Sequence, residues 1–206
     1  MTNQGKCTAA LIAGGKYTRI GLKKTFLQFN GITIFDRTIS LLKERFDPVW
    51  IVGNNADDFK QFDIPVIPDK VPDSGPLVGI YSALLQSPSP FMFCCACDMP
   101  FIRGDVLDEM IGLAETREFD VLVPFHDEKL HPLFAFYFKS CIPKFGELLE
   151  IGELKMHRFL DHVSVQKVTF DPARFDGISP FFNVNTPEDH ELAKRLIGEP
   201  VPEKKP

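Results

Sequence analysis

The amino-acid sequence predicts an α/β fold, in which a mostly parallel central sheet carries helices on both faces. The first observation is that short apolar runs alternate with segments of helical periodicity between residues 7 and 124. Such alternation produces parallel sheets, because each helix returns the chain to the same end of the sheet. The second observation is that the polar loops at residues 14–24 and from Asp98 onward each follow an apolar run. Since ligands bind at the carboxyl ends of parallel strands, both loops should lie on one rim.

The predicted strands are short apolar runs that stop at glycine, proline or a polar residue. They cover residues 7–13, 49–52, 65–67, 91–96 and 121–124, and, after the alternation weakens at His126, residues 133–138 and 163–170.

Apolar residues at helical spacing predict the connecting helices. They cover residues 34–45, 56–61, 77–85, 106–115, 144–150 and 156–160, and a last helix starts near Pro187. Thr186 is the expected N-cap of this last helix, and Pro187 suits its first position. We expect residues 1–199 to form a single domain, because no linker divides them, and the proline- and charge-rich residues 200–206 to be disordered.

Composition indicates a globular protein and disfavours several classes of partner. Of the 206 residues, 44% are hydrophobic and 25% are charged, which is the usual balance for a soluble domain. The net charge of -5 gives no basic face for a nucleic acid. Because no apolar run could span a bilayer and residues 1–8 do not resemble a signal peptide, we expect a cytoplasmic protein without a membrane partner.

The cysteines are expected to be core residues. Cys94, Cys95 and Cys97 lie together in an apolar run, and the chain has five cysteines, an odd number. Both features argue against a disulfide framework and favour small buried side chains over a metal cluster.

The loop at residues 14–24 has the composition of a phosphate-binding loop. Adjacent glycines allow backbone amides to converge on an anion, and four positive charges are close by: Lys16, Arg19, Lys23 and Lys24. The loop is not a P-loop, because Leu22 follows Gly21, and it lacks the spaced glycines of the dinucleotide fingerprint. The alternative is a solvated glycine-rich turn.

Four stretches together resemble molybdenum cofactor guanylyltransferases. Residues 12–15 (IAGG), followed by Arg19, Gly21 and Lys24, are similar to the family's LAGGxxxRMGxDK signature. Residues 75–79 (GPLVG), 97–100 (CDMP) and 183–188 (NVNTPE) match further family motifs in the same order. The resemblance implies a three-layer, Rossmann-like nucleotide-diphospho-transferase fold. It also implies the transfer of GMP from GTP to the terminal phosphate of the molybdopterin cofactor, with release of pyrophosphate.

The resemblance also implies roles for individual residues. Asp98 is expected to hold magnesium, with manganese as the alternative, while Arg19 and Lys24 neutralise the triphosphate; these three are the expected catalytic residues. The expected nucleotide-binding residues are Ile12, Ala13, Gly14, Gly15, Lys24, Asn54, Asp69, Gly75, Pro76, Leu77, Gly79 and Asp98. The expected substrate-binding residues on the pterin side are His131, Asn183 and Asn185.

Some of these assignments have alternatives from the residues themselves. Asp98 could instead be an acid at the start of the helix near Arg103, and Asp69 could cap its own turn. Either Asn183 or Asn185 could add an oxygen ligand to the metal, or Asn185 could only orient the following helix. Residues 126–132 contain two histidines, but we interpret them as a polar hairpin-like connection rather than a zinc site.

Two other functions compete with guanylyl transfer. The first is a CTP-dependent transferase of the same fold, acting on the pterin, a sugar phosphate or an isoprenoid alcohol phosphate. Gly14 favours GTP, because such relatives more often have alanine there and glycine leaves room for a purine. The second is a non-catalytic nucleotide-binding relative, suggested by Lys23 where the family has aspartate. The resemblance implies GTP and the molybdopterin cofactor as substrates, and transient contacts with cofactor-handling or acceptor proteins.

Overall fold

The structure is a computed structural model. It describes residues 7–13, 28–29, 31–54, 56–71, 74–115 and 119–197. The predicted phosphate loop, with Gly14, Gly15, Arg19 and Lys24, lies outside the described residues, as does the tail at 200–206.

The strands follow the apolar runs of the sequence, with short additions. Their bounds are β1 (Thr8–Ile12), β2 (Gln28–Phe29), β3 (Ile32–Thr33), β4 (Val49–Val52), β5 (Val66–Ile67), β6 (Phe91–Ala96), β7 (Val121–His126), β8 (Lys129–Leu130), β9 (Phe134–Phe138) and β10 (Val165–Val168).

The helices also lie where the periodicity predicts them. Their bounds are α1 (Ile34–Arg45), α2 (Pro76–Gln86), α3 (Gly104–Ala114), α4 (Ile142–Glu150), α5 (Met156–Leu160) and α6 (Pro187–Ile197). The helix predicted at residues 56–61 is a 3₁₀ helix, Ala56–Phe62, and Phe59 is its one buried residue. Two further 3₁₀ turns, Lys139–Cys141 and Pro172–Phe175, were not predicted.

The main sheet has the order β10-β7-β9-β6-β1-β4-β5, and β8 pairs with β7. The pairs of β1 with β4 and β6, of β4 with β5, and of β7 with β10 are parallel. Strand β9 is antiparallel to both of its neighbours, β6 and β7. The carboxyl ends of β1, β4, β5 and β6 therefore lie along one edge of the sheet.

Successive residues of each strand enter hydrophobic clusters on opposite faces of the sheet. In β1, Ala9 and Leu11 pack in the cluster formed with α1 and α3, whereas Ala10 and Ile12 pack in the cluster formed with α2, α4 and α5. A third cluster docks α6 against the start of α1 and the loop after β6; its buried members are Ile34, Phe101, Val184 and Ala193. The helices on the two faces confirm the predicted three-layer arrangement.

The three clustered cysteines are buried free thiols, as expected. Cys94, Cys95 and Cys97 are all buried, and burial raises the pKa of Cys94 and Cys95, so both thiols stay protonated. Among the described residues, no three His, Cys, Asp or Glu side chains are grouped so as to hold a metal ion. None of the described helices has both the length and the apolar character needed to cross a membrane.

Removing the Phe145 ring should loosen the layer that supports α2. The rings of Phe145 and Phe159 stack with centroids 4.0 Å apart, and Phe145 also contacts Tyr81 of α2 at 5.9 Å. We expect Phe145→Ala to lower the free energy of unfolding by about 3–5 kcal/mol, because it leaves a cavity in a packed core. Urea unfolding followed by circular dichroism measures the change.

Ile151→Ala is the matched control, because Ile151 ends the same helix but is 76% exposed. We expect it to change the free energy of unfolding by less than about 0.5 kcal/mol. Equal losses in the two variants would contradict the packing role of Phe145.

Candidate active site

Backbone hydrogen bonds continue the sheet past the ends of its central strands. The amide of Cys97 donates to the carbonyl of Ile12 (3.2 Å), and the amide of Ala13 donates to that of Val52 (2.8 Å). The amide of Gly53 donates to the carbonyl of Ile67 (3.0 Å). The loops that follow β1, β4, β5 and β6 therefore leave from neighbouring positions on one rim.

Asp98 is half-buried, two residues beyond β6, and is held by the segment before α6. The side-chain amide of Asn183 donates to Asp98 Oδ1 at 3.0 Å, and the backbone amide of Val184 donates to the Asp98 carbonyl at 2.9 Å. Asp98 does not serve as an acid at the start of α3, because Arg103 is the N-cap of that helix and Asp105 is the acid of its first turn. This arrangement brings together two motifs that lie 85 residues apart in sequence.

A reciprocal cap fixes the start of α6. The Thr186 hydroxyl accepts from the Asp189 amide at 3.1 Å, which confirms Thr186 as the N-cap. In return, Asp189 Oδ2 accepts from the backbone amides of Asn185 and Thr186, both at 2.8 Å. The Asn185 backbone thus belongs to the cap, whereas the Asn183 side chain contacts Asp98.

Asn54 and Asp69 are joined by two hydrogen bonds across the loops after β4 and β5. Asn54 Nδ2 donates to Asp69 Oδ2 at 3.2 Å, and the Asp69 amide donates to Asn54 Oδ1 at 3.0 Å. Because Asn54 uses both ends of its side-chain amide on one residue, it orients the Asp69 carboxylate on the rim.

The start of α2 approaches the same rim closely. Gly75, its N-cap, has φ 84° and ψ -178°, a conformation essentially restricted to glycine, and Pro76 takes the first helical position. A Cβ on Gly79 would lie 3.1 Å from Asp69 Oδ1 and 3.1 Å from a methyl group of Val52. Glycine at 79 therefore lets the helix pack against Asp69. Leu77, the residue of α2 that follows Pro76, is fully buried.

His131 lies on the side of the rim near Asn183. Its ring stacks on Phe181 with centroids 4.8 Å apart, and its Nε2 is 3.2 Å from the carbonyl oxygen of His126. Burial lowers the pKa of the His131 imidazole, which therefore stays neutral at pH 7. Since a carbonyl oxygen only accepts, Nε2 carries the proton and Nδ1 is the acceptor. The sequence interpretation missed Phe181, although it stands two residues before the Asn183 motif.

The remaining expected site residues divide into two groups. Ile12, the last residue of β1, and Ala13, which follows it, lie on the rim, and both residues are buried. The expected roles of Gly14, Gly15, Arg19 and Lys24 stay predictions, because these residues lie outside the described part of the chain. The connection at residues 126–132 forms the predicted hairpin, made by β7 and β8.

Comparisons with known proteins identify the family of this chain. Residues 9–168 match the MobA-like NTP transferase domain family. A probable molybdenum cofactor guanylyltransferase of Clostridium perfringens is 33% identical, over 90% of this chain and 95% of the relative. One of Pelotomaculum thermopropionicum is 35% identical, over 89% of this chain and 90% of the relative. The chain belongs to the molybdenum cofactor guanylyltransferase family.

Solved structures confirm the fold. Molybdopterin-guanine dinucleotide biosynthesis protein A from Archaeoglobus fulgidus is 25% identical with a TM-score of 0.76, and the match covers 93% of this chain and 98% of that protein. Rv0371c from Mycobacterium tuberculosis, solved in complex with manganese, has a TM-score of 0.68 over 94% of this chain and 98% of that one. At 19% identity, this second match shows the shared fold alone.

Substituting Gly75 should strain the turn before α2. We expect Gly75→Ala to lower the free energy of unfolding by about 1–3 kcal/mol, because alanine tolerates its backbone conformation poorly. Gly112→Ala is the control: Gly112 lies within α3, and an added Cβ would meet nothing within 4 Å. That variant should be neutral or more stable by up to about 1 kcal/mol. Urea unfolding measures the free energy of unfolding of both variants. An unchanged value in Gly75→Ala would contradict the predicted strain at this position.

Proposed function

We propose that this protein transfers the GMP part of GTP to the terminal phosphate of the molybdopterin cofactor. An acceptor oxygen forms a bond to the α-phosphorus of GTP as the bond to pyrophosphate breaks, which gives the guanine dinucleotide cofactor. The observation that carries the proposal is the Asp98–Asn183 pair at the rim of a chain that belongs to this family. We further propose that the enzyme acts in the cytoplasm and has transient contacts with proteins that handle or accept the cofactor.

In-line displacement requires positioning and charge neutralisation rather than a covalent nucleophile. Magnesium fits the chemistry of this rim, because it commonly binds one or two carboxylates together with substrate phosphates rather than a full protein cage. Asp98 is the proposed ligand, Asn183 orients its carboxylate, and manganese is the alternative metal. The bound ion would supply positive charge to the phosphate oxygens. Arg19 and Lys24 are proposed to neutralise the triphosphate and the leaving pyrophosphate.

We propose that the nucleoside of GTP lies over the ends of β1, β4 and β5. The Asp69 carboxylate, oriented by Asn54, is suited to accept hydrogen bonds from guanine or ribose. Gly79 and the glycine turn at Gly75 keep the start of α2 free of side chains that would block a base. The backbone of residues 12–15 is proposed to complete the nucleotide site, with Pro76 and Leu77 contributing through α2.

The pterin substrate is proposed to enter beside His131 and the segment at residues 183–185. The stack of His131 on Phe181 provides a flat aromatic surface, and the neutral imidazole has an acceptor at Nδ1. The amides of Asn183 and Asn185 would supply further hydrogen bonds to the acceptor substrate.

GTP should stabilise the protein against heat in a magnesium-dependent way. A nucleotide at about a hundred times its dissociation constant adds roughly 2.7 kcal/mol, which corresponds to a rise in Tm of about 5–10 °C. Differential scanning fluorimetry with GTP, CTP, UTP and ATP, with and without magnesium, measures the effect. A shift with CTP alone would indicate a cytidylyltransferase, and the absence of any shift would contradict nucleotide binding and with it the proposed function.

Asp98→Asn should abolish turnover while leaving the fold intact. Asparagine keeps the size of the side chain and an oxygen that can accept from Asn183, but it removes the charge that holds the metal. We expect kcat to fall at least about a hundredfold, since the charge stabilisation from a bound metal is worth several kcal/mol. Asp161→Asn, at an exposed position on the helix α5 terminus, is the control and should keep full activity. Unchanged turnover in Asp98→Asn would exclude Asp98 as the metal ligand.

A further inference from the structure

Ser82, in the middle of α2, joins the helix to the loop after β5. The residue is only 4% exposed. The hydroxyl accepts from the Lys70 amide at 2.8 Å and donates to the Val78 carbonyl at 2.7 Å. The donation to Val78, four residues back, is a common local bond of a helical serine. The bond from Lys70, 12 residues away, ties a separate segment to the helix.

The residue before Lys70 is Asp69. Two consecutive backbone amides of this loop, those of Asp69 and Lys70, thus donate to side chains of two different elements. Asn54, beyond β4, accepts the first, and Ser82, on α2, accepts the second. The backbone that carries the Asp69 carboxylate is therefore fixed from both sides.

Ser82 and Gly79 stand three residues apart, on the same face of α2. At Gly79 the helix leaves a gap in which Asp69 Oδ1 lies 3.1 Å from the position of a Cβ. One turn of α2 thus provides both the space for the Asp69 carboxylate, at Gly79, and the hydroxyl that accepts from the Lys70 amide, at Ser82. An alanine at 82 would keep the helix but leave the Lys70 amide without this acceptor.

We propose that Ser82 is a positioning residue for nucleotide binding, which holds Asp69 where its carboxylate can accept hydrogen bonds from the nucleoside of GTP. The inference rests on the proposed function, because it takes Asp69 as a contact of GTP. Ser82 itself is buried beneath the loop and acts through the Lys70 amide. Its loss should weaken the binding of GTP more than it slows the chemical step.

The chain offers a matched control in Ser87. This serine caps the other end of α2, is 2% exposed, and donates its hydroxyl to Thr8 at 2.9 Å, at the start of β1. Ser87→Ala therefore removes an equally buried hydroxyl of the same helix, at the end of β1 opposite the rim. It should lower stability about as much as Ser82→Ala and leave GTP binding unchanged.

The test is a double-mutant cycle on the affinity for GTP with magnesium, measured by isothermal titration calorimetry well below the Tm of every variant. Ser82→Ala should raise the Kd for GTP about tenfold, the effect expected when a buried amide loses its acceptor and the loop loosens. In an Asp69→Asn background the same substitution should change the Kd by less than about twofold, because the group that it positions is already altered. The kcat at saturating GTP should stay within about twofold of the wild type.

Four results would overturn the proposal. An equal effect of Ser82→Ala in both backgrounds would mean that Ser82 does not act through Asp69. A rise in Kd that Ser87→Ala reproduces would mean that only general stability is lost. No binding of GTP by the wild type would reject the proposed function together with this inference, whereas normal binding in Ser82→Ala would reject the inference alone.

Discussion

The parallel hydrogen bonding of β1 to β4 on one side and β6 on the other is the constraint on which the rest of the site depends. In this register Ile12 is opposite both Val52 and Ala96, so the three strands end together. Because the strands run in the same direction, their following loops must all leave from one edge. Hydrophobic side chains pack on both faces of these strands, and the start of α2 and the segment before α6 then pack against the loops at this edge.

Within that edge, the polar side chains hold one another in place. Asn183 orients the carboxylate of Asp98, and Asn54 orients that of Asp69, in each case across a long separation in sequence. Polar groups that are fixed before a substrate arrives do not have to reorganise when it binds. In both places a carboxylate on one loop is paired with a side-chain amide on another.

The sequence predicted most elements because they are local. Residues 34–45 form a helix over the predicted range. The apolar spacing of this helix and its N-cap, Thr33, depend only on residues that are close together in the sequence. The antiparallel direction of β9 could not be predicted from the sequence, because it depends on the pairing of β9 with β6, about 40 residues earlier. Sequence alone likewise could not show that the Asn183 side chain contacts Asp98, because this hydrogen bond joins residues 85 positions apart. The role of Ser82 could not be predicted from the sequence, because its hydrogen bond from the Lys70 amide forms only when the loop after β5 packs against α2. The roles of residues 14–24 rest on their motif alone.

The most direct test of the central claim is a turnover assay with the purified protein, magnesium and the molybdopterin cofactor, supplied with GTP, CTP, UTP or ATP in separate reactions. Pyrophosphate release and the dinucleotide product, identified by mass spectrometry, are measured together. We predict that pyrophosphate forms with GTP, only when the acceptor is present, in equal amount to a guanine dinucleotide. Pyrophosphate release with another nucleotide instead, or no product with GTP, would contradict it.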